Sequence, residues 1–393
     1  MAGSVKDVSI VGVGYSTCGR NTGLSYPELA RQAGMAAMED AGMTPADING
    51  VSTWTGMGDN PPGGDAMDLA YSFGFTPVDW FYTVGAAPAF VDPFVHSVAA
   101  VAAGLCDTCI VFRVLRRQPT ASDQLSQRRQ RPPDGPMRVG GRAQFSAPYG
   151  SMAAAAGIAG FQMQAHMARY GTTEEQFAIN AVNQRYHASL NDDALLRDPL
   201  TVDDYLAARY VSKPARLYDC DYPVDAGSAV IITSRERAAD WRQKPVDVEA
   251  CTLSAIRDFD MSLLDDFTST SPAHCAEKLW SRTDLTPADV DVAELYDGFT
   301  IITFQWLEAL GLCGPGEAGA FIQDGHTRLG GSLPLNTDGG ACNVGRRHGA
   351  NFCIEAVRQL RGTSGERQVP GAEVAVWSNA VGCFSGSVLL TAR

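Results

Sequence analysis

Asp291-Val292-Ala293-Glu294-Leu295-Tyr296-Asp297-Gly298-Phe299-Thr300 reads as a strand that runs straight into a helix. Val292 and Leu295 suit a buried strand, Asp297 is a good helix N-cap, and Phe299, Ile302, Phe304 and Leu307 supply the apolar residues of a helix packed on a sheet. Tyr296 then stands at the carboxyl end of a strand, where open α/β sheets bind ligands. The plainer reading of a buried tyrosine at this point is a core residue with its hydroxyl satisfied.

Immediately before this strand lies Thr286-Pro287-Ala288-Asp289-Val290, and the same phrase occurs earlier as Thr44-Pro45-Ala46-Asp47-Ile48. Each copy follows a helical stretch, Tyr26 to Ala41 closed by Gly42 in one case and about Pro272 to Arg282 in the other, and each precedes a strand. Duplication of a strand-helix-strand unit explains both copies. The neighbouring elements pair in the same way. A small-residue helix at Ala86 to Gly104 precedes a strand at Cys109 to Leu115, and a helix at Gly349 to Leu360 precedes a strand at Val374 to Ser378. Helices this rich in small and apolar residues belong between layers. The chain is therefore expected to form two pseudo-equivalent α/β halves, residues 1–240 and 241–393, with helices sandwiched between sheets.

An insertion at about 113–215 interrupts the first half. From Arg113 to Met152 it is rich in Arg, Gln, Pro and Gly, including Arg128-Arg129-Gln130-Arg131-Pro132-Pro133, which reads as a surface loop, either simply solvated or gripping phosphates of a cofactor or partner. Helices at Met163 to Tyr170, Thr173 to Ser189 and Val202 to Arg209 follow, then a strand at Pro223 to Ile232. This excursion reads as a lid-like region resting on the first half.

The 393 residues are 45% hydrophobic and 19% charged, the composition of a soluble globular protein. A net charge of −13 speaks against sequence-independent binding to nucleic acid or anionic membrane. No basic, apolar leader opens the chain and no apolar run approaches the ~20 residues that span a bilayer, so a cytoplasmic protein is expected. Ten cysteines are scattered without a disulfide framework. Cys106 and Cys109 stand at the start of an apolar strand without a second pair, and read as reduced core residues rather than metal ligands.

Met167-Ala168-Arg169-Tyr170-Gly171-Thr172-Thr173-Glu174-Glu175-Gln176, then Asp219-Cys220-Asp221, Asp225-Ala226-Gly227-Ser228 and the ending Gly382-Cys383-Phe384-Ser385-Gly386-Ser387 resemble the lipid-transfer-protein thiolases over essentially the whole chain. The resemblance implies a thiolase fold, layered α-β-α-β-α with a loop-domain insertion. Thiolases carry a nucleophilic cysteine at the start of the first buried helix, where helix dipole and amides lower its pKa. Here that place holds Gly85-Ala86-Ala87-Pro88, with Ala87 at the nucleophile position. The family's Gly-His-Pro-x-Gly base motif corresponds to Gly345-Arg346-Arg347-His348-Gly349, and Tyr296 stands where thiolases carry Asn or His.

Glu294-Leu295-Tyr296-Asp297-Gly298-Phe299, Asn336-Thr337-Asp338-Gly339-Gly340 and His348-Gly349 followed by Glu355-Ala356-Val357-Arg358-Gln359-Leu360-Arg361-Gly362 resemble a branch that cleaves rather than condenses, the steroid side-chain aldolases. That branch uses two tyrosines, one matching Tyr296 and the other matching Arg346, so the second is absent here. The resemblance implies retro-aldol cleavage of a bulky, steroid-like β-hydroxyacyl-CoA to a ketone and a short acyl-CoA, a homodimer, and a small OB-fold, zinc-ribbon partner in a heterotetramer. The reaction needs a base for the β-hydroxyl proton, donors for the enolate oxygen and an acid for the enolate carbon, and it calls for no cofactor or metal beyond the CoA of the substrate. Tyr296 is the candidate base, with Arg346 lowering its pKa or gripping a CoA phosphate, and His348 is a second candidate acid or base. Amides near Gly340 and in the Gly382-Cys383-Phe384-Ser385 loop are candidates for the oxyanion hole and for binding the CoA thioester. Two other readings compete: acyl transfer by a relocated Cys342 or Cys383, and an acyl-CoA-binding subunit without activity.

Overall fold

The computed structural model describes residues 4–55, 64–85, 88–116, 155–255, 266–268, 270–381 and 383–393. Its first half opens with β1 (Val8–Tyr15), buried along nearly its whole length, and α1 (Tyr26–Ala41). Ser25 and Glu28 form a capping box at the start of α1, and Gly42 ends it in the left-handed conformation, φ 74°. Then come β2 (Gly50–Trp54), α2 (Ala66–Phe73), β3 (Trp80–Val84), α3 (Val91–Ala102) and β4 (Thr108–Leu115). The excursion contributes α4 (Ala155–Tyr170), α5 (Glu174–Ser189), α6 (Val202–Ala207) and a hairpin of β5 (Tyr210–Ser212) and β6 (Ala215–Arg216) before β7 (Ala226–Ser234). The second half runs through β8 (Val246–Ala255), α7 (Ser271–Trp280), β9 (Val292–Glu294), α8 (Thr300–Ala309), α9 (Ala318–Gln323), α10 (Ala341–Val344), α11 (Ala350–Arg361), β10 (Val374–Val381) and β11 (Phe384–Ala392).

One sheet of nine strands runs in the order β3-β2-β4-β7-β1-β8-β11-β10-β9. Its two ends repeat each other. In the first half β2 is parallel to β4, and β4-β7 and β7-β1 are antiparallel. In the second half β9 is parallel to β10, and β10-β11 and β11-β8 are antiparallel. The halves meet where Ser9 and Ile10 of β1 pair with Asp247 and Val246 of β8. The repeated Thr-Pro-Ala-Asp phrase takes the same shape in both copies. Thr44 donates from its amide and its hydroxyl to Asp47 Oδ2, each at 2.8 Å, and Thr286 does the same to Asp289 Oδ2, each at 2.7 Å. Two identical turns in identical topological places are what duplication leaves behind.

Three apolar clusters define the layers. Outside the first half, Leu29 and Ala33 of α1 and Leu69 of α2 cover Ile110, Phe112 and Ile231. Between the halves, Phe94 and Val98 of α3 and Phe352 and Val357 of α11 fill the space between Val111 and Val230 on one side and Trp377 and Val388 on the other. Outside the second half, Leu279 of α7 and Phe304 of α8 cover Val376 and Leu389. The expected α-β-α-β-α order follows, and burying each of the Val, Leu, Ile and Phe side chains among these contributes roughly 1.5–3 kcal/mol.

The excursion does not rest on the first half, as its place in the chain suggested. Met163, Phe177 and Tyr205 join the cluster of Ile301, Phe304 and Leu307, and the rings of Phe177 and Phe304 lie 4.8 Å apart. Polar contacts follow the same route, with His166 Nε2 3.0 Å from Glu308 and Arg169 2.6 Å from Asp266. The reason is coverage. Helices α1 and α2 already close the outer face of the first half, whereas α8 buries Ile301, Phe304, Trp306 and Leu307 completely and so needs cover on more than its sheet-facing side. The Arg128 to Pro133 stretch lies outside the described residues.

Candidate active site

Tyr296 stands two residues past the end of β9, close to the strand end its sequence predicts, and the chain beyond the strand is held by a side chain. Asn336, in the left-handed conformation with φ 49°, accepts from the Leu295 amide at 2.6 Å and donates to the Leu295 carbonyl at 2.8 Å, so its amide stands in for a neighbouring strand. Glu294 in turn holds the Thr337 amide and hydroxyl at 3.0 and 2.7 Å. The Tyr296 ring is buried edge-on against Phe352 of α11, centroids 6.2 Å apart, and it folds over Gly298 so closely that a Cβ there would lie 2.6 Å from the phenol oxygen. The hydroxyl makes no hydrogen bond to a described residue.

Asp297 was expected to cap the helix that follows it. Instead α8 starts at Thr300 with Phe299 in the cap position, and the Asp297 carboxylate accepts from the Ala341 amide at 2.9 Å and more distantly from the Cys342 amide at 3.5 Å, capping α10. Gly340 makes this approach possible, since at φ 72° its missing Cβ would stand 2.1 Å from Asp297 Oδ2. Burial, and secondarily the charges of Asp338 and Asp221, pushes the Asp297 carboxyl up to about 7 despite those amides. The Gly340 amide itself donates to Asp338 Oδ1 at 2.7 Å. The backbone donors near Gly340 are thus spent on carboxylates, and the expected oxyanion hole is not available there.

At the other expected donor loop, Gly382 lies outside the described residues. Cys383 is buried, and Phe384 and Ser385 belong to β11 between β8 and β10, with the Ser385 hydroxyl donating to the Ser271 carbonyl at 2.9 Å. Cys342 donates its thiol to the Asp297 carbonyl at 3.5 Å, and burial followed by Asp297 and Asp221 raises its pKa well above the ordinary thiol range. A thiol so held is a poor source of thiolate. All ten cysteines are free. Ala86 and Ala87 lie outside the described residues; directly after them Ala89 is fully buried in the left-handed conformation, φ 62°, against Trp54, with Phe90 as the cap of α3.

Arg346 and Tyr296 share an electrostatic neighbourhood with Asp221, which stands in the Asp219-Cys220-Asp221 motif of the family resemblance but carries no site role in the sequence reading. Cys220 bridges Phe299, and the Asp221 amide donates to the Gly298 carbonyl at 3.2 Å, which hangs Asp221 beside the Tyr296 turn. Arg346 lies with Nη1 3.7 Å from Asp221 Oδ1, and its amide donates to the Tyr222 carbonyl at 2.8 Å. Burial raises the Asp221 carboxyl to about 6 while Arg346 pulls it down. Tyr296 is raised well above the ordinary phenol value by burial first and Asp221 next; Arg346 and Arg113 lower it without prevailing. Arg346 therefore acts on Tyr296 in the expected direction but does not bring it into the neutral range, because Asp221 neutralises much of its charge and the ring is desolvated.

His348, also left-handed at φ 51°, is clamped on both backbone and ring. Its carbonyl accepts from the Phe90 amide at 3.1 Å and from Asn379 Nδ2 at 2.7 Å, and its Nδ1 lies 2.8 Å from Arg113 Nη2. Arg113 rises from the middle of β4, donates through Nη1 to the Trp54 and Val114 carbonyls at 2.9 and 2.8 Å, and lies 4.2 Å over the Trp54 ring. Burial, then Arg113 and Arg346, keeps the His348 imidazole well below its usual pKa. The signal for Arg113 was present in the sequence, as the one charged residue inside the apolar run Thr108 to Leu115. The Asp219-Cys220-Asp221 motif pointed to the family, with no local signal for a role of Asp221 in the site.

Among the described residues no group of three or more His, Cys, Asp or Glu side chains is placed to hold a metal ion, and no helix is long and apolar enough to cross a membrane.

Comparison with known proteins adds the family. Residues 254–391 match the model of the thiolase C-terminal domain-like family. The chain is 34% identical over 97% of its length to the 17-hydroxy-3-oxo-4-pregnene-20-carboxyl-CoA lyase of Mycobacterium tuberculosis, covering 98% of that protein. It is 31% identical over 91% of its length to the steroid side-chain-cleaving aldolase of Thermomonospora curvata, covering 90% of it. The solved structure of the Ltp2-ChsH2(DUF35) aldolase superposes with a TM-score of 0.87 at 29% identity, each chain covered to 99%.

Proposed function

Because the chain belongs to the thiolase superfamily, in the lipid-transfer-protein branch that holds the steroid side-chain-cleaving aldolases, we propose that it is a carbon-carbon lyase that cleaves a bulky, steroid-like β-hydroxyacyl-CoA by retro-aldol reaction into a ketone and a short acyl-CoA. The observation that carries this reading is the placement of Asp221 beside the buried Tyr296 turn, its amide donating to the Gly298 carbonyl at 3.2 Å and its carboxylate 3.7 Å from Arg346, at a site where Cys342 is held as a thiol. A phenol held above its ordinary value is a proton donor at neutral pH, and a carboxyl near 6 is ionised there, so the expected base role passes from Tyr296 to Asp221. Asp221 takes the β-hydroxyl proton, the Cα–Cβ bonding pair moves into the thioester as an enolate, and Tyr296 protonates the enolate carbon. The proton on Asp221 then returns to the Tyr296 phenolate, a transfer the gap between their pKa values favours. The only cofactor chemistry in the scheme is the CoA of the substrate, and Arg346 holds the ionised Asp221.

The relatives also support an assembly. The name of the solved Ltp2-ChsH2(DUF35) aldolase includes a partner, and the proposed complex here joins a small OB-fold, zinc-ribbon protein to a homodimer of this chain. The homodimer fits the edge that β3 forms among the described strands, where Phe81 is 59% exposed beside half-buried Trp80 and Tyr82. A cytoplasmic setting accords with ten reduced cysteines. The test is to incubate the chain, alone and with its partner, with a panel of β-hydroxyacyl-CoAs. Ketone and short acyl-CoA in equal amounts are expected; acyl transfer to free CoA or to a cysteine, or binding without turnover, would replace the reading.

A further inference from the structure

We propose that the His348 Nε2–H is the hydrogen-bond donor to the enolate oxygen formed at the thioester, and that Arg113 is the positioning residue that fixes the ring in this tautomer. The substrate atom rests on the retro-aldol reading above; the tautomer is a property of the resting protein.

A guanidinium has five donors, no acceptor, and keeps its charge in proteins. With Arg113 Nη2 2.8 Å from His348 Nδ1, the imidazole nitrogen must supply the lone pair. A proton on Nδ1 would point at another N–H, so both the Nδ1–H tautomer and the imidazolium break the contact. The ring's single proton is left on Nε2, which makes no hydrogen bond to a described residue. Arg113 cannot turn away easily, since its other nitrogen binds two carbonyls and its plane lies over Trp54. The ring is steadied by the edge contact with Trp54, centroids 5.0 Å apart, and its backbone by Asn379 and the Phe90 amide.

The location suits the chemistry. Tyr296 packs on Phe352 in α11, the helix that begins just after His348, and both side chains feel Arg113 and Arg346. Among the described residues these two cations, one from β4 and one two residues before the ring, are the charged groups acting on His348, and both disfavour an imidazolium. A neutral donor stabilises developing charge on oxygen without surrendering its proton, and a guanidinium hydrogen-bonded behind it polarises the N–H. The ring is thereby unfit as a base. It supplies the donor that the amides near Gly340 cannot, because Asp338 and Asp297 occupy them.

The tautomer is read from long-range proton–nitrogen correlations of the full chain labelled with ¹⁵N-histidine, with His348 among the six histidines assigned by its loss in His348→Gln. The expected spectrum is a neutral ring protonated on Nε2 from pH 8 down to about 5, below the ordinary histidine range. An Nδ1–H ring or an imidazolium at pH 7 overturns the proposal regardless of activity. In Arg113→Met the ring should gain the Nδ1–H form, and Arg113→Lys should restore Nε2–H; an unchanged tautomer in Arg113→Met removes Arg113 from the scheme. Kinetically, His348→Gln keeps an N–H near Nε2 and should retain kcat within about tenfold, while His348→Met should lose about 100-fold with KM changed little. Equal losses in both variants, or a loss confined to KM, refute the donor role. If the unaltered protein cleaves no thioester, the retro-aldol reading falls, and the enolate with it, whereas the spectrum still decides the tautomer.

Discussion

Replacing Arg346 by alanine tests the electrostatics of the proposed site most directly. At 3.7 Å, and with an effective dielectric near 20, one cation stabilises the Asp221 carboxylate by about 4 kcal/mol. The Arg346 side chain is 32% exposed, so water and salt remove a large part of this, leaving roughly 1.5–2 kcal/mol, or about 1–1.5 pH units. Asp221 sits at about 6 with the guanidinium already pulling it down. Without Arg346 it should titrate at about 7–7.5. The base must be ionised to accept the β-hydroxyl proton, so kcat/KM rises with pH through this pKa, and the acidic limb should move up by the same amount. At about pH 6.5 the variant should therefore be roughly fivefold slower than at its own plateau relative to the unaltered protein, with the difference nearly gone by about pH 8.5. The assay is kcat/KM for thioester cleavage from about pH 5 to 9 at constant ionic strength, with Asp221→Asn as the variant in which the limb vanishes. A limb that stays in place while KM rises would mean that Arg346 grips a CoA phosphate and that Asp221 is not the base.

Tyr296→Phe should lower kcat by about 100-fold or more with the fold unchanged by circular dichroism, since the hydroxyl it removes bonds to no described residue; retention of half the activity would return Tyr296 to the core. No acyl-enzyme should accumulate, because Cys342 is held as a thiol, and an acyl adduct in the intact mass spectrum under turnover would contradict this. Gly340→Ala should lower stability by about 2 kcal/mol or more, since it combines positive φ with a Cβ 2.1 Å from Asp297; an unchanged melting temperature would show that the Asp297 cap is dispensable. Phe81→Asp on β3, the edge strand among the described residues, should shift the chain toward monomer in sedimentation, and an undisturbed dimer would place the subunit contact elsewhere.

What could be read from the sequence depended on how far apart the interacting groups are. The placement of Tyr296 near a strand end, the extent of α1 to its Gly42 stop, and the repeated Thr-Pro-Ala-Asp phrase between a helix and a strand are local matters of periodicity and capping, and all appear as expected. Asp297 was misread because its partners, the amides of Ala341 and Cys342, stand more than forty residues along the chain, and no local rule weighs them against the helix next door. For the same reason Asp221 stood in a family motif without a site role, a role that comes from where Cys220 and Phe299 meet. Motif resemblance located the Asn336 to Gly340 segment but suggested donors for the substrate, whereas Asn336 props up the Tyr296 strand and Gly340 makes room for a carboxylate. Arg113 could have been singled out, since a lone cation in an apolar strand demands a partner.

The excursion carries a consequence for how the molecule is made. Its helices are encoded in the first half, yet Met163, Phe177 and Tyr205 find their cover on Ile301, Phe304 and Leu307. During synthesis the amino-terminal part leaves the ribosome first, and this greasy underside has nowhere to dock until α8 emerges. Folding of the two halves is thus sequentially dependent. A fragment ending near residue 240 would expose that underside permanently, making it a substrate for chaperones and aggregation rather than an autonomous domain.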